Sequence, residues 1–382
     1  MTRRRFFNLL GLFAAASTSP TDAAATGAAA TGAAATGHRI SAKASGFRMP
    51  LESAPHERSF MQWPARAGLY GNRRGLASVQ ACIASIANTI ARFEPVVVLA
   101  GPDQMAPARQ HLDPAVELWP IETEDMWCRD SGPTFVQTPD GTLAVSELNF
   151  NGWGSRQPHT HDARIARRTA TRLGLRVFDN GLIGEGGGVE TDGAGTLMAH
   201  ESSWVNPNRN RLGKAEIERG LLDALGAERM IWAPGVAGAD ITDYHIDALA
   251  RFVKPGQVVI QVPDRRDPRD PWSVAAFATY DILKQARDAT GRKLDIVVIR
   301  EPDFDRIRSR SRDFVCSYVN YYVCNGAVVG AAFGDAAADD RAYRLLEQLY
   351  PGRTVVNLNV DPIAEAGGGI HCVTQQQPAR PA

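Results

Sequence analysis

The chain has 382 residues, 44% of them hydrophobic and 22% charged, enough to bury a sizeable core as one large domain or two ordinary ones. Lys plus Arg and Asp plus Glu both number 42, so the net charge is zero and no broad basic surface is offered to phosphates, which argues against a nucleic-acid partner. The five cysteines, Cys82, Cys128, Cys316, Cys324 and Cys372, are scattered without a Cys-x-x-Cys pair that would point to a zinc or redox centre, and their odd number leaves at least one free thiol.

In chain order, residues 1–45 read as export leader and linker rather than fold. "MTRRRFFNLLGLFAAASTS" sets basic residues before Phe6 and Phe7 and an apolar run that ends in small residues, the pattern of a twin-arginine-type signal. The run is too short for a permanent span, so a periplasmic or secreted protein without stable membrane insertion is expected. Behind it, "AAATG" recurs three times between Ala23 and Gly37, a low-complexity tract that cannot form a core. A single domain is expected over 46–382.

From about residue 50, short apolar runs alternate with amphipathic stretches and glycine turns, the pattern of an α/β protein. Strands are expected at 96–101 (VVVLAG), 141–150, 257–262 (QVVIQV), 295–300 (DIVVIR), 317–333 (SYVNYYVCNGAVVGAAF) and 354–360. Helical periodicity marks 76–93, 161–174 and 275–291. Neither G-x-G-x-x-G in a dinucleotide context nor a P-loop occurs, and "GEGGGVE" lacks the P-loop lysine, so no nucleotide or other organic cofactor is called for.

Residues fit for chemistry gather in four places. "EDMWCRDSGPTFV" (124–136) brings Trp127, Arg129 and Asp130; "IGEGGGVETDG" (183–193) sets Glu185 before three glycines that let backbone approach a ligand. "TDYHIDALARFV" (242–253) holds His245 and Asp247 two apart, on one face if extended; "AGGGIHCVTQQQP" (366–378) holds Cys372. His371 would face away from its neighbour in an extended chain and is a poor base for it, while Cys316 and Cys324 share one side of an apolar stretch and read as core. The remaining histidines, including His159 and His161, lack a third ligand at metal-binding spacing, so no metal is expected.

One thiol, one histidine and three carboxylates make an unusual set for attack on an amide, because converging carboxylates repel an oxyanion and attract a cation. A planar cation with many donors is a guanidinium, which carboxylates bind in bidentate pairs, and the electrophile would be its central carbon.

The ordered blocks "ERSFMQWPAR", "WCRDSGPTFV", "EGGGVETDGAGT" with "ESSWVNPNRN", "DYHIDALARFVKPG" and "AGGGIHCVTQQQP" resemble those of the agmatine deiminase family, which is joined at a distance to bacterial peptidylarginine deiminases and more remotely to amidinotransferases. The likeness runs over about residues 50–380 and implies the pentein fold, a five-bladed ββαβ α/β-propeller with pseudo-fivefold symmetry. It implies Cys372 as nucleophile, His245 as acid/base, Glu185 as the residue that orients the histidine, Asp130 and Asp247 as the clamp on a small cationic guanidino substrate, and Trp127 as a wall of the site. No metal or organic cofactor is implied, and a homo-oligomer is left open. Three departures bear on substrate choice. Tyr244 stands where the family commonly has glycine, Gly369 (in the glycine run that contacts the substrate region) where it has asparagine, and Glu190 and Ala194 occupy a turn that usually carries histidine and glutamate. Agmatine is the expected substrate; free arginine or peptidyl arginine would need an arginine or lysine for a carboxylate or backbone, with Arg129, Arg156 and Arg209 as candidates. An amidinotransferase, a guanidinium-binding periplasmic protein without turnover and a Cys-His peptidase are the alternatives.

Overall fold

The structure, a computed structural model, describes residues 41–311 and 313–380, so nearly all of the expected export leader and linker lies outside the described residues. Residues 41–45, ahead of the expected boundary at 46, already pack on the described body. Ala42 is fully buried among Phe47, Met49 and Leu225, and Lys43 Nζ sits 2.8 Å from Glu228.

Among the described residues the strands form five separate sheets. The first contains β1 (His56–Gln62), β2 (Val96–Ala100) and β3 (Glu117–Pro120), all parallel, with helix α1 (Arg73–Ile90) crossing from β1 to β2. The other four follow one plan. In the second, β4 (Thr134–Gln137) and β5 (Leu143–Glu147) are antiparallel, and α2 (Ile165–Leu173) leads to β6 (Arg176–Asp179), parallel to β5. The third repeats this with β7 (Val189–Thr191), β8 (Thr196–His200), α3 (Lys214–Leu225) and β9 (Arg229–Ala233). The fourth does so with β10 (Ala250–Lys254), β11 (Gln257–Val262), α4 (Pro271–Gln285) and β12 (Asp295–Arg300). The fifth has β13 (Tyr322–Cys324), β14 (Ala327–Ala331), α5 (Ala336–Leu349) and β15 (Thr354–Leu358). The last strand, β16 (Gln375–Pro378), returns to pair antiparallel with β1, so the first sheet takes its inner strand from the far end of the chain and closes the ring. This is the five-bladed ββαβ α/β-propeller of the pentein fold.

Local chemistry accounts for the elements. The Asn72 side chain accepts from the Arg74 and Gly75 amides to start α1, whose buried stripe Val79, Cys82, Ile83, Ile86 and Ile90 keeps helical spacing. Asp270 caps α4 ahead of Pro271, and Gly174 and Gly226, at φ 67° and 68°, end α2 and α3 in the left-handed conformation. All five residues of β2 are buried, as a strand covered on both faces requires. The strands expected at 257–262 and 295–300 coincide with β11 and β12, but 317–333 is not one strand. It breaks into irregular chain to 321 and then a hairpin turning at Asn325-Gly326. Among the described residues no helix is long and apolar enough to cross a membrane.

Candidate active site

The turns that enter the inner strands converge at the centre of the ring. The turn before β4 carries Asp130, that before β7 carries Glu185 and Gly187, and that before β10 carries His245 and Asp247; the one before β13 carries Asn320, and the one before β16 carries Cys372. His245 and Asp247 therefore do not share a face by strand alternation. Residues 246–248 form a 3-10 turn, and it is the turn that aims both side chains inward. The same holds for the nucleophile loop, where 371–373 form a 3-10 turn rather than extended chain.

Gly187 marks the point of convergence. A Cβ built there would lie 2.8 Å from Asp130 Oδ1, 2.8 Å from His245 Nδ1 and 3.0 Å from Asp247 Oδ2, so only glycine leaves this centre clear. Its own amide donates to Asp130 Oδ1 at 3.2 Å. His245 Nε2 lies 3.2 Å from Glu185 Oε2, and Nδ1 lies 3.6 Å from Asp130 Oδ1. The sulphur of Cys372 is 3.8 Å from Asp247 Oδ2 and 3.2 Å from Asn320 Nδ2. Trp127 is buried against the same loop: a Cβ at Gly368 would stand 2.3 Å from the indole and 3.3 Å from the Cys372 Cβ. All six expected site residues other than Gly369 are thus gathered around one point.

Gly369 acts through its backbone. Its backbone N–H works to lower the Cys372 thiol pKa, and a Cβ there would come within 2.4 Å of Asn320 Oδ1. The amide group expected from an asparagine at 369 is present in another form, because Asn320 reaches the sulphur from the fifth blade. Tyr244 adds no bulk beside the base. It keeps the glycine-like backbone, φ 69°, and turns its ring away to meet Trp272 edge-on at 4.3 Å and His200 at 4.6 Å. Glu190 belongs to a buried network, with its Oε1 2.9 Å from Arg251.

That network backs the site and was not legible beforehand. His371, with both ring nitrogens committed, lies between Asp247 Oδ2 at 2.8 Å and Glu52 Oε2 at 2.7 Å. Glu52 also takes Arg251 at 2.8 Å, Arg129 at 3.1 Å and the Val323 amide at 3.0 Å. With Oδ2 held by His371, Asp247 Oδ1 is buried and has no partner, an acceptor left for a donor in the site. On the other side, Arg209 spans Glu185 Oε1 and Asp243 Oδ2, each at 2.8 Å, and so fixes the carboxylate that holds His245. Trp153, at φ 54° between two left-handed glycines, donates its indole N–H to Asp130 Oδ2 at 3.0 Å. Such backbone costs on the order of 1 kcal/mol per residue and here serves to aim a donor at the clamp.

Electrostatics follow from burial among charges. Burial pulls the His245 imidazole down, but Asp130, Glu185 and Asp247 outweigh it and raise its pKa to about 9. Burial, with Glu185 and Asp247 nearby, pushes Asp130 up to about 6 against the opposing pull of His245. Asp247 is held below the usual carboxylate range, since His371, His245 and Arg251 overcome its desolvation. The Cys372 thiol is pushed well above its ordinary value by burial and by Asp247 and Asp130, with Gly369 and Asn320 acting the other way. At neutral pH the site therefore holds a neutral thiol, an imidazolium and an excess of carboxylate. A cation with in-plane N–H donors would be attracted to it and would draw the thiol toward the thiolate.

The other four cysteines are buried, Cys316 and Cys324 among them as core residues. Among the described residues no group of three or more His, Cys, Asp or Glu side chains is arranged to hold a metal ion.

Residues 48–378 match the family described as Porphyromonas-type peptidyl-arginine deiminase. A protein of Streptomyces coelicolor named putative agmatine deiminase is 39% identical over 340 residues, covering 87% of this chain and 99% of its own. The agmatine deiminase of Pseudomonas aeruginosa is 37% identical over 368 residues, covering 88% of this chain and 97% of its own. A solved structure of the agmatine deiminase of Enterococcus faecalis superposes with a TM-score of 0.81 at 28% identity, over 89% of this chain and 98% of that one.

Proposed function

The chain belongs to the Porphyromonas-type peptidyl-arginine deiminase family, and from that premise we propose that it hydrolyses agmatine to N-carbamoylputrescine and ammonia. It is a hydrolase of carbon–nitrogen bonds in linear amidines. The observation that carries the reading is the cluster around Gly187, in which Asp130, Asp247 and His245 ring one point beside the Cys372 sulphur and Asp247 Oδ1 has no partner.

In this reading Asp130 and Asp247 take the guanidinium N–H groups and Trp127 covers its face. Binding of the cation releases the thiol proton to solvent. The thiolate forms the S–C bond, and the His245 imidazolium protonates the departing nitrogen as the C–N bond breaks, freeing ammonia and leaving an S-alkylthiouronium. Neutral His245 then takes a proton from water as the oxygen bonds to the carbon. The C–S bond breaks with its electron pair returning to sulphur, the hydroxyl proton of the adduct passes to that thiolate to restore the thiol, and the neutral ureido product leaves. Glu185 holds Nε2, which leaves Nδ1 to face the reacting carbon.

The arginines support agmatine over arginine. Arg129 is committed to Glu52, Arg209 to Glu185 and Asp243, and Arg156 to Asp243 and the carbonyls of Asp240 and Ile241. None of the three is left to receive an α-carboxylate. The twin-arginine-type leader supports action in the periplasm or outside the cell, which fractionation of cells producing the full chain would check. The test of activity is ammonia release by the purified protein with agmatine, free arginine and a blocked arginyl peptide, beside Cys372→Ala. Turnover of agmatine alone, lost in the variant, is expected; faster turnover of either arginine substrate would overturn the assignment.

A further inference from the structure

We propose that His371, the neighbour of the nucleophile in sequence, is a positioning residue for substrate capture: held in place by Glu52, it donates from Nδ1 to Asp247 Oδ2 and so leaves Oδ1 for the guanidinium. The inference rests on the deiminase reading for the substrate, and one arm of its test needs no substrate.

The loop that delivers Cys372 sends two side chains in two directions. Residues 371–373 form a 3-10 turn, in which neighbouring side chains diverge by about a third of a turn, so Cys372 enters the site while His371, 2% exposed, goes to the buried charges behind it. Both ring nitrogens face carboxylate oxygens, Nδ1 that of Asp247 at 2.8 Å and Nε2 that of Glu52 at 2.7 Å, so the ring carries a hydrogen on each and a positive charge. With neither nitrogen free, a general-base role is closed to it. Glu52 is itself fixed, since its Oε1 accepts from the Val323 amide at 3.0 Å and its carbonyl meets His56 Nε2 at 2.6 Å. Arg251 and Arg129 also end on Glu52 Oε2, and Glu190 takes the Nε of Arg251. The carboxylates of Asp247, Glu52 and Glu190 are thus matched by His371, Arg251 and Arg129, and His371 is the member of the set that hands its donor to the clamp. A carboxylate with one oxygen so held cannot swing, and its other oxygen, Oδ1, buried without a partner, is the acceptor that remains for the substrate. Asp247 is also faced by His245, Arg251, the Asp130 carboxylate and the Cys372 thiol. Burial opposes its charge most, and among the cations His371 does most to restore it. Oδ2 is at the same time 3.8 Å from the sulphur, so the bond from His371 offsets negative charge where it would oppose a thiolate.

Two substitutions separate the two ends of the ring. His371→Asn sets an amide nitrogen close to where Nδ1 stands and keeps a donor for Asp247, whereas His371→Gln reaches toward Nε2, keeps Glu52 and gives up Asp247. In His371→Gln the KM for agmatine is expected to rise about tenfold, the effect of a clamp that has lost one hydrogen bond to a charged group, with kcat changed much less. The acid side of its kcat/KM profile should gain a further break where Asp247 titrates. In His371→Asn, KM should stay within about threefold and the break should be missing. Equal losses in the two variants, or the greater loss in His371→Asn, overturn the proposal and leave His371 a packing residue of the loop. The arm without substrate reads the ring N–H signals by NMR of the free protein labelled with nitrogen-15 histidine, with His245→Gln telling His245 and His371 apart. His371 should show protons on both ring nitrogens, and Asp247→Asn should move the Nδ1–H signal while the Nε2–H signal stays nearly in place. A ring without a proton on Nδ1, or an Nδ1–H signal indifferent to Asp247→Asn, overturns the proposal even where neither His371 variant folds. Should the signals behave as expected while the unaltered protein leaves agmatine intact, His371 keeps its hold on Asp247 and the agmatine assignment fails.

Discussion

Replacing Glu185 by Gln should move the pH dependence of kcat/KM in a direction opposite to simple intuition. The His245 imidazole rises from its ordinary 6.5 to about 9, on the order of 3 kcal/mol in favour of imidazolium after burial is overcome. Glu185 contributes both a hydrogen bond and a charge to that rise, beside the charges of Asp130 and Asp247. Gln keeps the shape and removes the charge, and Arg209 retains Asp243 at 2.8 Å, so the variant should fold. The His245 pKa is then expected to drop by about one unit.

The sign for activity comes from counting protons. The free enzyme at neutral pH holds a neutral thiol and an imidazolium, whereas the transition state for attack holds a thiolate and an imidazolium, one proton fewer. Accordingly kcat/KM rises tenfold per pH unit until the first group of the pair titrates, near 9, and only then levels; as a coupled pair, the two groups share this apparent value. In Glu185→Gln the levelling point moves down to about 8, although the plateau falls because the acid/base has lost its anchor. Initial rates of ammonia release at low agmatine between pH 6 and 10.5 measure this. A levelling point that stays put, or moves up, would refute the claim that His245 is the group raised and that Glu185 raises it. Stability gives a second reading. A folded pKa above the unfolded one contributes stability in full below about 6.5 and loses it as pH climbs through about 9, so urea unfolding should show a smaller loss over that window in the variant.

Asp130, pushed up to about 6, must be ionised to clamp a cation, so below about pH 6 kcat/KM should fall with a steeper slope, and Asp130→Asn should abolish that second break along with most of the activity. Gly187→Ala places a methyl group 2.8 Å from both Asp130 Oδ1 and His245 Nδ1; kcat/KM should drop about 100-fold or more while the unfolding midpoint barely changes. Tyr244→Gly relieves a left-handed backbone, a gain of about 1 kcal/mol, but empties the contact with Trp272 and His200, a loss of about 3 kcal/mol or more. Urea unfolding should therefore report a net destabilisation of about 2 kcal/mol, with agmatine kinetics within a few-fold of the unaltered enzyme; a stabilised or inactive variant would contradict the placement of the ring.

What could be read from the chain, and what could not, divides along physical lines. Cys372, His245, Glu185, Asp130, Asp247 and Trp127 stand out because polar, reactive types sit beside glycine turns where no core needs them. Asn320 and Glu52 were hidden for opposite reasons. Asn320 lies inside an apolar run whose alternation dominates any reading of 317–333, and Glu52 stands alone before β1 with its partners His371, Arg129 and Arg251 supplied by distant segments. The convergence of His245 and Asp247 was anticipated on the premise of extended chain, yet 3-10 turns bring it about. The alternation of strands and helices was visible as periodicity. The closing of the ring was not, because pairing β1 with β16 joins His56 to Pro378, a contact that no local pattern encodes.

That closure ties folding to chemistry. Blades two to five are contiguous ββαβ units, so Asp130, Glu185, His245, Asp247 and Asn320 are each delivered by a unit built from neighbouring chain. The nucleophile is different. Cys372 stands just ahead of β16, and its position depends on that strand docking on β1, with Phe60 opposite Gln375 and Arg58 opposite Gln377. The amide-rich tail has its reason here. Gln375, Gln376 and Gln377 are all buried, and Gln375 Nε2 donates to the Pro133 carbonyl at 2.6 Å, next to the turn that carries Asp130. The strand that seals the propeller thus pins the loop of the attacking sulphur to the loop of the clamp. An open ring would retain the carboxylates in their own blades while leaving the thiol without its place among them, so the reactive pair is assembled by the same long-range step that completes the fold.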